Sequence, residues 1–132
     1  MQPQYDVLII GAGVVGSAIA RELARYDLKI GILEKNRDVC LEASGRNSAV
    51  IHGGFAYDTG TRKAECCVEG NLGFDQLARE LDIPFRRTGK VLVGNTAADY
   101  ESLQQTMATG RINGSPALEM IDKKRLTSWY RQ

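Results

Sequence analysis

Val7-Leu8-Ile9-Ile10-Gly11-Ala12-Gly13-Val14-Val15-Gly16 decides the fold. Tyr5 to Ile10 is apolar and rich in β-branched residues, the pattern of a strand buried on both faces. It ends on G-x-G-x-x-G. From Val14 to Tyr26 the apolar residues Val15, Ala18, Ile19 and Leu23 fall at helical spacing. Lys29 to Leu33 is a second apolar run, and Glu34 ends it 18 residues after Gly16. This is strand, helix, strand in about thirty residues, the length such a unit requires. A right-handed crossover makes the two strands parallel neighbours. The three glycines do different things. Gly11 permits the tight turn, Gly13 lets a pyrophosphate approach the backbone, and Gly16 lets the helix pack against the strand. Ala12, Val14 and Val15 complete the loop, whose helix N-terminus offers unpaired N–H groups to phosphate. Glu34 is placed to accept hydrogen bonds from both hydroxyls of an adenosine ribose. Its charge disfavours a 2′-phosphate.

Length and composition agree with one ordinary globular domain. The chain has 132 residues, 43% hydrophobic and 25% charged. Seventeen Lys and Arg against sixteen Asp and Glu leave a net charge of +1, so no basic field points to nucleic acid. Cys40, Cys66 and Cys67 make an odd count without C-x-x-C spacing. They read as buried small hydrophobes in a reducing, cytoplasmic setting. One histidine, His52, excludes a His-rich metal site, and no metal is expected. The longest apolar stretch, Val7 to Ala20, falls short of the ~20 residues that a bilayer needs.

Further along, Asn36 to Ala43 reads as a loop, and Ser44-Gly45-Arg46-Asn47-Ser48 as the start of a short helix through Ile51. Thr61 caps a helix from Arg62 to Leu81 that Pro84 stops. Gly70 and Gly73 inside it point to a close packing contact. Phe85 to Thr88 and Lys90 to Val93 are expected as two strands around Gly89, and Leu118 to Ile121 as a third, brief one. Thr96 caps a helix from Ala97 to Thr109, and Asp122 a last one from Lys123 to Gln132. Trp129 and Tyr130 on that last helix want a partner surface, so the chain is expected to be one piece of something larger, open to self-association there.

The glycine fingerprint alone does not choose between NAD and FAD, which share an ADP half. Ala43 to Ser48 supplies hydroxyls, an amide and a guanidinium, a set suited to a second contact with a long dinucleotide. Arg46 would neutralise the pyrophosphate. His52, between Val50-Ile51 and Gly53-Gly54, would stand beside a flavin ring or serve as a satisfied, partly buried histidine.

At these residues the sequence resembles a known family. The run Tyr5 to Gly16, then Leu33-Glu34-Lys35, then Gly45 to Gly54, looks like the D-amino-acid-oxidase-type FAD-dependent oxidoreductases. Within them it is most similar to FAD-dependent glycerol-3-phosphate dehydrogenases of the anaerobic type, with the L-2-hydroxyglutarate branch close behind. Gly60 to Ala64, Glu69-Gly70-Asn71 and Asp82 to Val93 extend the match. The resemblance implies FAD as the cofactor. Gly11, Gly13 and Gly16 would hold its pyrophosphate, Glu34 its adenosine ribose with Lys35 alongside, and Ser44, Gly45, Arg46, Asn47 and Ser48 the pyrophosphate and ribityl region. His52 and Gly53 would lie near the isoalloxazine, with His52 the one candidate catalytic base.

The implied fold is α/β: a Rossmann-like βαβ with a parallel sheet over residues 1–84, and the start of a second, antiparallel, substrate-side sheet over residues 85–132. Members of the family run to several hundred residues, so the chain is expected to be an N-terminal part, inactive alone. The parent reaction would oxidise a secondary alcohol, with glycerol 3-phosphate to dihydroxyacetone phosphate first and L-2-hydroxyglutarate or another 2-hydroxy or amino acid as the alternative. An NAD-dependent Rossmann enzyme or a non-catalytic dinucleotide-binding fragment are the rivals from other classes. Expected partners are a small-molecule substrate and an electron-accepting subunit or quinone. The expected location is the cytoplasm, peripheral to the inner membrane face through such partners.

Overall fold

The computed structural model describes residues 4–129 and divides into two compact units, one ending at Val50 and the other starting at Ile51. In the first unit, strand β1 (Val7–Ile10), helix α1 (Val14–Leu23) and strand β2 (Ile30–Leu33) follow in order. The strands are parallel, with Val7 opposite Ile30 and Ile10 opposite Leu33. Asp6 fixes where the pair begins. Its N–H donates to the Lys29 carbonyl at 2.9 Å, and its side chain accepts from the Lys29 N–H at 2.8 Å. The Gly11 N–H, donating to the Leu33 carbonyl at 2.7 Å, marks where the pair ends.

β1 is not buried on both faces. Ile9 is buried, whereas Leu8 is half exposed and Ile10 is 87% exposed. Strand residues alternate between faces, and covering both needs a layer on each side. α1 supplies one layer, so the apolar run is saturated with hydrophobic side chains but only one side of it is covered.

The close approach of α1 to β1 rests on position 16. A Cβ built there would lie 2.0 Å from the Gly11 carbonyl oxygen and 3.3 Å from a methyl of Ile9. Gly11 itself sits at φ +101°, the left-handed region that glycine enters without strain.

The second unit is helical. Helix α2 (Arg62–Glu80) starts on Thr61, whose hydroxyl accepts from the Ala64 N–H at 3.3 Å. It stops before Pro84 is reached. Asp82 turns left-handed, and the Ile83 N–H reaches back to the Ala78 carbonyl at 2.8 Å. Helix α3 (Ala97–Ile112) opens on a reciprocal capping box between Thr96 and Asp99. Its close is the same device with glycine in place: Gly114 is left-handed and the Ser115 N–H bonds the Gly110 carbonyl at 2.9 Å. Helix α4 (Lys123–Trp129) is capped by Asp122, whose carboxylate accepts from the Arg125 N–H. Trp129 is half exposed under the Arg125 guanidinium, and Tyr130 lies outside the described residues.

Four local expectations are corrected. Residues 85–88, 90–93 and 118–121 form no strand, so the second, antiparallel sheet is absent among the described residues. A strand is a pairing, and β-rich composition without a neighbouring ladder leaves extended chain. The helix expected from Ser44 to Ile51 shrinks to one 3₁₀ turn, Ala43–Gly45. Asn47 ends it by donating from its side chain to the Ser44 carbonyl and accepting from the Ala49 N–H, the local competition typical of asparagine. Gly70 and Gly73 have open space where a Cβ would sit, so no packing contact explains them. None of the three cysteines is buried: Cys66 is exposed, and Cys40 and Cys67 are only half-buried, since neighbouring positions on α2 point in different directions and Cys67 alone of that pair turns inward.

Two glycine substitutions are therefore expected to act with opposite sign. Gly16→Ala forces a methyl against backbone and should destabilise by about 1–3 kcal/mol or more. Gly73→Ala meets nothing and should stabilise α2 by about 0.5–1 kcal/mol. Urea unfolding followed by circular dichroism measures both; equal effects would show that the β1–α1 corner is loose.

Candidate dinucleotide-binding site

The loop from Gly11 to Gly16 carries α1 away from the carboxyl end of β1, where open parallel sheets place their ligands. Its backbone groups divide into those already used and those left over. The Ala12 N–H donates to Glu34 Oε2 at 2.8 Å, and the Ala12 carbonyl accepts from the Cys40 N–H at 3.3 Å and from its thiol at 3.7 Å. Ala12 is buried, so it ties the loop down rather than facing a ligand. The Val14 N–H donates to Ser44 Oγ at 2.9 Å. Gly13, the N-cap, has no side chain to cap with, and Ser44 supplies the missing oxygen from 30 residues away. A Cβ at position 13 would lie 2.9 Å from that oxygen. Val15 and Gly16 lie in the first helical turn, whose N–H groups have no intrahelical acceptor. They stand at the positive end of the helix dipole, a site made for an anion.

Glu34 stands at the end of β2 within a small polar network. Its Oε1 accepts from the Asn36 N–H at 2.9 Å and from the Asn36 amide side chain at 3.1 Å. The same amide reaches Glu42 Oε1 at 3.2 Å, and Lys35 pairs with Glu42 at 3.0 Å. The Ala12 N–H first, and then the Asn36 N–H, hold the Glu34 carboxyl below the usual carboxylate range. Lys35 in turn holds Glu42 low and is itself raised by it. A carboxylate has about four lone-pair positions, so three donors leave Glu34 able to accept once more.

The structure brings Gly11, Ala12, Gly13, Val14, Gly16, Glu34 and Ser44 into one connected set. Lys35 turns to Glu42 instead of standing free beside Glu34. Gly45 serves packing, since a Cβ there would lie 2.3 Å from the Cys40 carbonyl oxygen. Arg46 and Ser48 are exposed, and among the described residues Arg46 holds no ion pair. His52 and Gly53 belong to the second unit. Sequence reasoning missed Asn36 and Glu42, which set Glu34 in place. The signal available was an amide two residues beyond the carboxylate that ends β2. These residues present anion-binding amides and a fixed carboxylate but no acid, base or nucleophile aimed at a common point, so the set is a holder. Among the described residues, no three His, Cys, Asp or Glu converge to hold a metal ion, and no helix is long and apolar enough to cross a membrane.

The donor set fits the ADP half of a dinucleotide, with bare positions at the corner and a ribose acceptor beyond it. Comparison with known proteins points the same way. The profile of the DAO family, FAD dependent oxidoreductase, matches residues 6–131. A glycerol 3-phosphate dehydrogenase of Caloramator mitchellensis is 40% identical over 122 residues, covering 92% of this chain and 25% of that protein. A mitochondrial L-2-hydroxyglutarate dehydrogenase of Caenorhabditis briggsae is 41% identical over 128 residues, covering 95% and 29%. The human protein of that name is 34% identical over 122 residues, covering 91% and 26%. The chain thus spans between a quarter and a third of the length of these relatives.

Two outcomes are expected at Glu34. Its folded pKa is lowered, so its grip on the Ala12 amide is complete above the ordinary carboxylate pKa of about 4.3 and is lost as pH falls through the lower folded value. Protection of the Ala12 amide from exchange, followed by NMR relative to its intrinsic rate across that range, should fall as pH drops through that lower value. Glu34→Ala should weaken dinucleotide binding by roughly tenfold or more, since it removes a charged hydrogen-bond acceptor. Unchanged affinity by calorimetry would remove Glu34 from the site.

Proposed function

The chain belongs to the FAD-dependent oxidoreductases of the DAO family, and we propose that it supplies the part of such an enzyme that grips the ADP half of FAD. The observation that carries this reading is the bare corner at Gly11, Gly13 and Gly16, with Glu34 fixed beyond it by Ala12 and Asn36. The Val15 and Gly16 amides would take the pyrophosphate oxygens, and the exposed Arg46 would add a countercharge. The Glu34 carboxylate would accept from a ribose hydroxyl, and its charge would repel a 2′-phosphate. FAD, when bound, supplies the capacity to take a hydride from carbon. The work of these residues is to hold and orient it.

For the substrate, the reading is a secondary alcohol on a small anion. The names of two kinds of relatives support two forms of it equally: sn-glycerol 3-phosphate, going to dihydroxyacetone phosphate, and L-2-hydroxyglutarate, going to its 2-oxo acid. His52 is the candidate group beside the flavin. Electrons would pass on to a quinone or a protein acceptor, on the cytoplasmic side of a membrane. Turnover needs walls that exclude water and orient the alcohol, which this holder does not provide, so the 132 residues alone are expected to bind without turning over.

Calorimetry with FAD, ADP and NAD tests the cofactor assignment on the chain itself. FAD should bind at least tenfold more tightly than NAD, with ADP retaining part of that affinity. Tighter binding of NAD would replace the flavin reading with a nicotinamide one, and no heat with any of the three would leave the corner a purely structural device. The substrate is tested by anaerobic bleaching of the visible flavin band in a flavoenzyme carrying this chain. The alcohol that bleaches it is the substrate, and bleaching by neither overturns both assignments.

A further inference from the structure

Asn71 is the buried polar side chain among the described residues, 7% exposed, on the inward face of α2. Asparagine is a middling helix former and seldom buried, so neither propensity nor packing explains it there. Its hydrogen bonds do. The side-chain NH₂ donates to the His52 carbonyl at 3.0 Å, and the side-chain carbonyl accepts from the Arg87 guanidinium at 3.0 Å. One turn earlier on the helix, the Cys67 thiol also donates to the His52 carbonyl, at 3.4 Å. Arg87 completes the arrangement. It grips both oxygens of Asp75, one turn further along, and reaches the Asn71 backbone carbonyl at 2.8 Å. Its guanidinium also lies over Phe85, which packs on Phe74 with ring centroids 4.9 Å apart. A rigid bidentate fork thus sets the Asn71 amide in one orientation, and that orientation puts its donor toward residue 52.

We propose that Asn71, locked by Arg87, is the positioning residue for the His52–Gly53 peptide. This rests on the reading of His52 as the group beside the flavin. The peptide is trans, so its N–H points opposite to its C=O. With the carbonyl turned into α2 by Asn71 and Cys67, the Gly53 N–H is turned away from the helix and presented as a donor. The next residues keep the segment from rotating. Gly54, at φ +80°, lies so close to α2 that a Cβ would meet Val68 at 2.5 Å. The Asn113 side chain bonds the carbonyls of Gly54 and Tyr57 at 3.0 and 2.8 Å. Position 52 is therefore exposed as a side chain but fixed as a backbone.

The chain has one histidine, so labelling histidine at its carbonyl carbon gives a single NMR resonance that reports this hydrogen bond directly. Asn71→Asp keeps the shape and the Arg87 contact but turns the donor into an acceptor. It should move the resonance by several linewidths, in the direction of a lost hydrogen bond. Asp75→Asn removes a charge from the same network without touching residue 52, and should leave the resonance in place. A resonance unmoved in Asn71→Asp, or moved equally by Asp75→Asn, overturns the positioning role. Should Asn71→Asp not fold, Arg87→Lys decides: it keeps the charge but loses the fork, and an unmoved resonance there overturns the proposal as well. FAD added to the wild-type chain tests the underlying reading separately. A histidine ring signal that FAD leaves unmoved sinks the placement of His52 by the flavin, whatever the variants show.

Discussion

The first unit depends on two backbones meeting at the corner between β1 and α1, where only hydrogen fits at position 16. Close approach of the Gly16 Cα to the Gly11 carbonyl lets α1 lie against β1 with Ile9 beneath it. That placement aims the first-turn amides of α1 past the end of the sheet. The loop does not cap itself, because Gly13 has no side-chain oxygen. The chain solves this from a distance, with Ser44 on the Val14 amide and Glu34 on the Ala12 amide. Three stretches far apart in sequence converge on one loop, the loop that carries the first-turn amides of α1.

The carboxylate of Glu34 has a double use for the same reason. The acidic residue after β2, which the proposed function gives to ribose, also ties β2 to the loop in this chain. Asn36 stiffens it from one side and Ala12 from the other. The donors that orient the charge exist before any ligand arrives, so little rearrangement is left to bind. Preformed donors and acceptors lower the entropy cost of association, the general advantage of preorganisation.

How much of this is legible in the sequence follows from the range of the interactions. The βαβ unit is readable because hydrophobic period, glycine spacing and the terminal Glu34 are all local signals that agree. Helices α2, α3 and α4 are readable from Thr61, Thr96 and Asp122, caps that act within one turn. The strands expected at 85–93 and 118–121 fail because β-propensity describes a residue's fit to a sheet and says nothing of whether a neighbouring strand is present. The helix expected after Ser44 fails because Asn47 captures the backbone locally. Ser44 as the distant cap of α1, and Asn71 as the anchor of residue 52, have no local signature. Each is a hydrogen bond across at least nineteen positions, visible only once the chain is folded.

The apolar surface of the structure follows a pattern that composition does not. Ile10, Leu33, Val14 and Val15 crowd the end of the sheet where the anion-binding amides emerge, and all four are more than half exposed. A holder for a charged diphosphate has no need of hydrophobic neighbours. A long dinucleotide with flat, largely apolar rings at each end does, because the rings lose water on binding and the phosphates keep their partners. Burying a Val or Leu side chain is worth about 1.5–3 kcal/mol, comparable to a charge-assisted hydrogen bond. Exposure at these positions leaves apolar surface on the same corner that offers the first-turn amides, the combination that the proposed dinucleotide would use.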